Sequence, residues 1–239
     1  MKTTVLYLLI GCVLSSCGTY NYLTISHASL QASDKKFTAA DSTLRVSYSF
    51  VNMNGILNLS IENHSAGPVT IDWKKSSLVT NGRAVSLYNG NMPFNASAGR
   101  DSLVHPPVVN INGMVSLPST TDFIPPAAVI SKSTIAAISS TYNFPFAASD
   151  MITKTGSMHE QKKFPGKQYK PTESPYKIRV YLTYINGDGH ERVLENEFYV
   201  SEVINTMKGP DAMQAFFNNN QSYICSFVLN PADNQPNQY

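Results

Sequence analysis

Cys225, five scattered histidines and a glycine-flanked aspartate are the residues of this chain whose types suit chemistry. A thiol becomes a nucleophile where a nearby positive group stabilises its thiolate. Cys225 lies in the run Tyr223-Ile224-Cys225-Ser226-Phe227, with no cation close by in sequence, and reads as a packed strand residue. His27, His64, His105, His159 and His190 stand singly. None forms the i,i+2 pair of a strand or the i,i+3 or i,i+4 pair of a helix from which zinc sites are built. Asn186-Gly187-Asp188-Gly189 has the outline of a calcium loop, but one Asp cannot gather the six or more oxygens that calcium takes. It reads as a hairpin turn. Trp73 shares the face of Val69 and Ile71, as a core tryptophan would. No Gly-x-Ser-x-Gly elbow or phosphate-cradling glycine loop appears. The sequence nominates no catalytic residue, no metal ligand and no cofactor.

One cysteine carries a different chemistry. Lys2 supplies a positive start, Val5 to Leu14 form an apolar run, and Leu14-Ser15-Ser16-Cys17 follows. Such a segment is a secretory signal, too short for a bilayer span of ~20 residues. Leu, two small residues and Cys match the bacterial lipobox, whose cysteine receives a diacylglycerol thioether. Leu9-Ile10-Gly11-Cys12 fits the same pattern, but would leave only Val5 to Ile10 as apolar core, below the usual length. Cys17 is therefore the expected lipidation site, and residues 1–16 the removed signal peptide.

The chain carries 18 Lys and Arg against 16 Asp and Glu. Without a basic run, it has no electrostatic footprint for nucleic acid. Membrane attachment falls to the N-terminal lipid. With Cys225 the one thiol left after processing, no intramolecular disulfide is available, and the fold must stand on its core.

The elements that position these residues are read from hydrophobic period. Leu44, Val46, Tyr48 and Phe50 alternate with polar residues, then Asn54-Gly55 turns the chain, and Leu57, Leu59 and Ile61 resume the alternation. Asn-Gly between alternating runs is a strong hairpin signal. Val69, Ile71 and Trp73 follow, and Asn81-Gly82 marks a second hairpin between Ser77–Thr80 and Arg83–Tyr88. These segments are expected as four consecutive antiparallel strands. Residues 89–175 hold most of the 14 prolines, which interrupt continuous strands. Val108–Leu117 and Ala127–Ile138 still look strand-like there, while Ser157–Thr172, polar and lysine-rich, reads as an exposed excursion. Ile178, Val180, Leu182 and Tyr184 restore the alternation up to the Asn186–Gly189 turn, with a return strand to about Val203. Pro210–Phe217 is expected as one short helix and Ser222–Leu229 as the last strand.

The fold class expected is all-β: an antiparallel, immunoglobulin-like β-sandwich of about nine strands, with a long irregular middle segment and at most one short helix. A β-barrel is the competing closure. The expected organisation is a lipidated N-terminus, tether and possible first strand over 17–43, the sandwich over 44–229 with the insertion at 89–175, and a disordered tail over 230–239.

The Asn54-Gly55 hairpin, the stretch from Glu62 to Gly82, and Phe123-Ile124-Pro125-Pro126-Ala127-Ala128-Val129 together resemble envelope lipoproteins of Bacteroides-type bacteria, which carry an immunoglobulin-like sandwich behind a lipobox. The resemblance spans roughly Leu44 to Val200 and implies a fold and a place, the outer membrane, rather than an activity. The absence of an acid in Gly18-Thr19-Tyr20-Asn21 implies the periplasm-facing side. It also implies O-glycosylation at Asp-Ser-Thr-type triplets, which nominates Ser42 and Ser102.

The functional expectation is a non-enzymatic, lipid-anchored envelope protein that binds or scaffolds another envelope component, a protein or a glycan, through the 89–175 region. The alternative is an enzyme or carbohydrate-binding accessory with a site in that middle segment, where Asp101, Asp122, Asp150 and Glu160 are the acids available.

Overall fold

The structure, a computed structural model, describes residues 18–51, 53–88, 94–101, 108–115, 119–138, 142–156, 159–217 and 221–228. Cys17, Ser102, His105 and the expected tail lie outside them. Within them the chain is an antiparallel all-β sandwich with one short helix.

The smaller sheet is built from β2 (Lys36–Ala40), β3 (Leu44–Val51), β4 (Ile56–Asn63) and β10 (Val129–Ala136), in the order β10-β4-β3-β2. The larger is organised around β14 (Glu191–Thr206), a 16-residue strand. Its first half pairs with β13 (Lys177–Ile185), and beyond β13 lie β5 (Val69–Thr80), β6 (Arg83–Ser86) and β9 (Thr121–Ile124). Its second half runs between β1 (Thr19–His27) and β12 (Gln161–Gln168). Outside these lie β15 (Ser222–Val228), next to β1, and β11 (Met151–Thr155), next to β12. β7 (Phe94–Asp101) and β8 (Val108–Val115) form a two-stranded sheet, paired with no other strand among the described residues.

The expected alternation is realised side chain by side chain. Leu44, Val46, Tyr48, Phe50, Leu57, Leu59, Ile61, Val69, Ile71, Trp73, Ile178, Val180, Leu182 and Tyr184 are each at most 2% exposed. They form one core with Leu23, Ile25 and Phe37 from the first two strands. At its centre the Phe198 ring lies 5.2 Å from Phe37 and Tyr48 and 5.3 Å from Phe50, so one β14 residue touches two strands of the facing sheet. Asn196 donates its amide to the Tyr48 hydroxyl at 2.9 Å across the same gap. A second, smaller core packs Tyr22, Ile152, Phe164, Ile204 and Phe217 behind the larger sheet, closed by α1 (Pro210–Gln214) through Met213.

Three expectations change. β4 and β5 are not neighbours: the turn between them carries the chain from one sheet to the other. Asn63 holds that corner, donating to the carbonyls of Gly67 at 2.8 Å and Ile124 at 3.0 Å while its own Oδ1 accepts from Ser65. Second, the lysine-rich 157–172 segment contains β12, because Phe164 and Gly166 turn inward while Lys163 and Lys167 line the other side. Third, β1 starts at Thr19 and lies between β14 and β15, so the residues just after Cys17 are sheet rather than tether.

Candidate functional site

A groove of about 520 Å³ opens where β1, β2, β12, β14 and β15 come together, within the size range of small-ligand sites. A β-bulge sets its floor. Thr24 faces Glu202, but Ile25 faces Val200, so Ser201 is the extra residue on β14. Such insertions bend a strand and re-aim its side chains. Val200 and Val203, three apart, both reach the main core because of it, and Glu202 is turned to the opposite side beside Thr24.

Glu202 is fully engaged there. Its carboxylate accepts from Lys154 at 2.6 Å, from the Gln168 amide at 3.1 Å and from the Thr24 hydroxyl at 3.2 Å. The Lys154 and Glu202 side chains are only 12% and 7% exposed. A pair this buried holds its charges against each other, so the groove floor is polar yet neutral. Beside it Ser201 and Ser26 share a hydrogen bond of 2.8 Å.

Two groups remain for a ligand. The Nδ1 of His27 accepts from the backbone N–H of Leu30 at 3.0 Å and of Ser29 at 3.1 Å. That fixes the ring proton on Nε2. Burial lowers the pKa of His27 against the opposing pull of Glu197, so the ring is neutral at neutral pH and offers one fixed donor. Ser222, 1% exposed, has a hydroxyl without a hydrogen-bond partner among the described residues. A buried orphan of this kind carries a desolvation cost. The hydroxyl lies beneath the groove surface, so a ligand group reaches it only where the wall over it moves.

The other nominated residues are dispersed. Cys225 is buried in β15 in the second core; burial pushes its thiol pKa up, more than the neighbouring Tyr22 hydroxyl draws it back. Trp73 is a core residue, with its N–H donated to Asp122 at 2.8 Å and the Lys132 ammonium 4.0 Å over its ring. Of the middle-segment acids, Asp122 is held by Trp73, Asp150 accepts from the Ala147 N–H and Glu160 pairs with Lys162. Asn186–Gly189 forms the β13–β14 turn, Gly189 at φ 79°. Ser42 is exposed on the β2–β3 turn, where Asp41 accepts from the N–H groups of Thr43 and Leu44. No three His, Cys, Asp or Glu gather as a metal site among the described residues.

Among the described residues of the 89–175 region, Gln168 and Tyr169 line the groove and Lys154 reaches its Glu202. Thr24, His27, Glu202 and Ser222 were not singled out from the sequence for this role. A signal for one of them was present: Val200-Ser201-Glu202-Val203 breaks the period-two alternation of an otherwise regular strand. Compared with models of protein families, with curated proteins and with solved structures, the chain has no match.

Proposed function

We propose that this chain is a non-enzymatic lipoprotein of the bacterial outer membrane, acylated at Cys17 and facing the periplasm, whose immunoglobulin-like sandwich holds another envelope component in the β1–β14–β15 groove. The lipobox register supports the anchor. The preformed groove, lined by His27 with its ring fixed by the N–H groups of Ser29 and Leu30, supports the binding role, and it is the observation that carries the reading.

The chemistry of the groove narrows the component. Its one carboxylate is neutralised by Lys154, and His27 is held neutral. Around them stand hydroxyls and amides that both donate and accept. This set suits a neutral, hydroxyl-rich ligand, such as a stretch of envelope glycan, better than an ionic one. O-glycosylation at Ser42 and Ser102 belongs to the same proposal; a glycan on Ser42 would stand on the β2–β3 turn, away from this groove.

The test is retention of the purified chain on envelope polysaccharide, set against capture of proteins from solubilised membranes. Specific polysaccharide retention that His27→Ala weakens by about 0.5–1.5 kcal/mol, in a variant that still folds, supports the reading. A stoichiometric protein partner indifferent to Ser222→Ala and His27→Ala would remove the groove from the function.

A further inference from the structure

The distance between the anchor and the fold decides which end of the sandwich meets the bilayer. β1 begins at Thr19, two residues after Cys17, and two residues of extended chain span at most about 7 Å. The start of β1 is locked in place from both sides: Tyr20 pairs with Thr206 and Thr19 with Val228. The Asn205 amide reaches Asn21 at 2.7 Å and Thr19 at 3.4 Å. A cysteine acylated at position 17 therefore cannot stand away from the end of the sheet where β14 finishes.

That end carries side chains suited to a lipid interface. Met207, 67% exposed, and Lys208 follow β14 directly. Their backbone is held to the sheet, because the Tyr22 hydroxyl donates to the Lys208 carbonyl at 2.8 Å. The start of β12 runs past the same end of β14, as Gly166 already faces Ile204, and brings the exposed Lys163 to that side. An apolar side chain beside cations, next to an acyl chain, is the composition of interfacial anchors.

We propose that the Thr19 end of the sandwich, with Met207 and Lys208 at its tip, is a lipid-facing surface that rests on the phospholipid headgroups. The proposal rests on acylation of Cys17. It fixes the reach of the groove as well. Thr24 to His27 lie five to eight residues up β1 from Thr19, and at ~3.4 Å per residue that is about 17–27 Å from the lipid-facing end, or at most about 34 Å from the anchor. The groove then serves a ligand in the layer immediately above the bilayer.

The test uses the acylated full chain in vesicles of phosphatidylethanolamine and phosphatidylglycerol, some carrying brominated acyl chains. Met207→Trp places a reporter at the proposed face. Val193→Trp places one near the opposite end of β14, at a site that is 57% exposed. Gln214→Trp, on an exposed position of α1, the helix that follows this end of β14, gives a second reading. Bromine quenching several-fold stronger at 207 and 214 than at 193 supports the proposal. Equal, weak quenching at all three sites in a protein that floats with the vesicles overturns the proposal and leaves the anchor standing. A chain that takes up no palmitate analogue and does not float overturns both.

Discussion

Asp41 shows how a single side chain couples a local turn to a distant strand. Its Oδ1 accepts from the Thr43 N–H at 2.7 Å and the Leu44 N–H at 2.8 Å, and its Oδ2 accepts from the Tyr184 hydroxyl at 2.7 Å. Burial pushes the carboxyl upward, but the bonds from Leu44, Tyr184 and Thr43, with His64 nearby, hold it below the usual Asp value. The same contact helps keep the Tyr184 phenol up at about 12, after burial as the larger cause. A carboxyl lowered on folding stabilises the fold above its unfolded pKa of ~3.9, and that contribution is lost as pH falls through the folded value. Asp41→Ala should therefore cost about 1–3 kcal/mol at pH 7 in urea unfolding. Wild-type and variant stabilities should then converge as the pH drops below 4. Curves that stay parallel would show that the charge is not what these donors hold. The turn was legible, since Asp-Ser-Thr is a local pattern. The Tyr184 contact was not, because 143 residues separate the partners and nothing local encodes their meeting.

Strands were legible wherever burial on one face writes a period of two, and pairings were not. β3, β4, β5 and β13 could be read from alternation alone, yet the β4–β5 corner looks in sequence like any hairpin turn. What makes it a crossing between sheets is Asn63. Its backbone also bonds Ala127 and Ala128 of the return crossing from β9 to β10, at 2.8 and 3.0 Å. Asn63→Ala would take the side-chain donor from the buried Ile124 carbonyl, worth ~1–3 kcal/mol when orphaned, and leave the Gly67 carbonyl to the Ser65 hydroxyl, and calorimetry should show a loss of several degrees in Tm. A loss confined to the scale of an exposed turn would mean that the crossings hold without it. β12 was missed for a different reason: a strand whose inward positions are Phe164 and a glycine leaves only one apolar mark. Gly166 is required because a Cβ there would stand 2.2 Å from the Val203 carbonyl. Gly166→Ala should force β12 off β14 and speed amide exchange in 161–168. Unchanged protection there would contradict the close approach. The bulge at Ser201 was the one feature of the groove written in local pattern, whereas Ser222 and His27 reach it through pairings between distant strands.

At the scale of the molecule, stability must come from two sheets that meet at Phe198 and from the strand that closes them. Among the described strands β15 forms a ladder with β1 alone, but Asn54, in the turn between β3 and β4, donates its N–H to the Cys225 carbonyl at 3.0 Å, and Met53 bridges to Cys225. β15 thus fastens the smaller sheet to the larger, and Cys225, buried at that seam, should become reachable only when the sheets separate. A chain starting at residue 17 and carrying Cys17→Ser leaves it as the one thiol. Its reaction with a bulky thiol reagent should be negligible in native buffer and should rise with urea in step with global unfolding. Phe198→Ala, which removes the central ring without touching β15, should cost about 3–5 kcal/mol and accelerate that reaction by the matching factor, tenfold for each ~1.4 kcal/mol. The coupling is what the comparison reads. Fast native modification that Phe198→Ala leaves unchanged would mean that β15 opens alone, and that the seam at Cys225 is a local latch independent of the core.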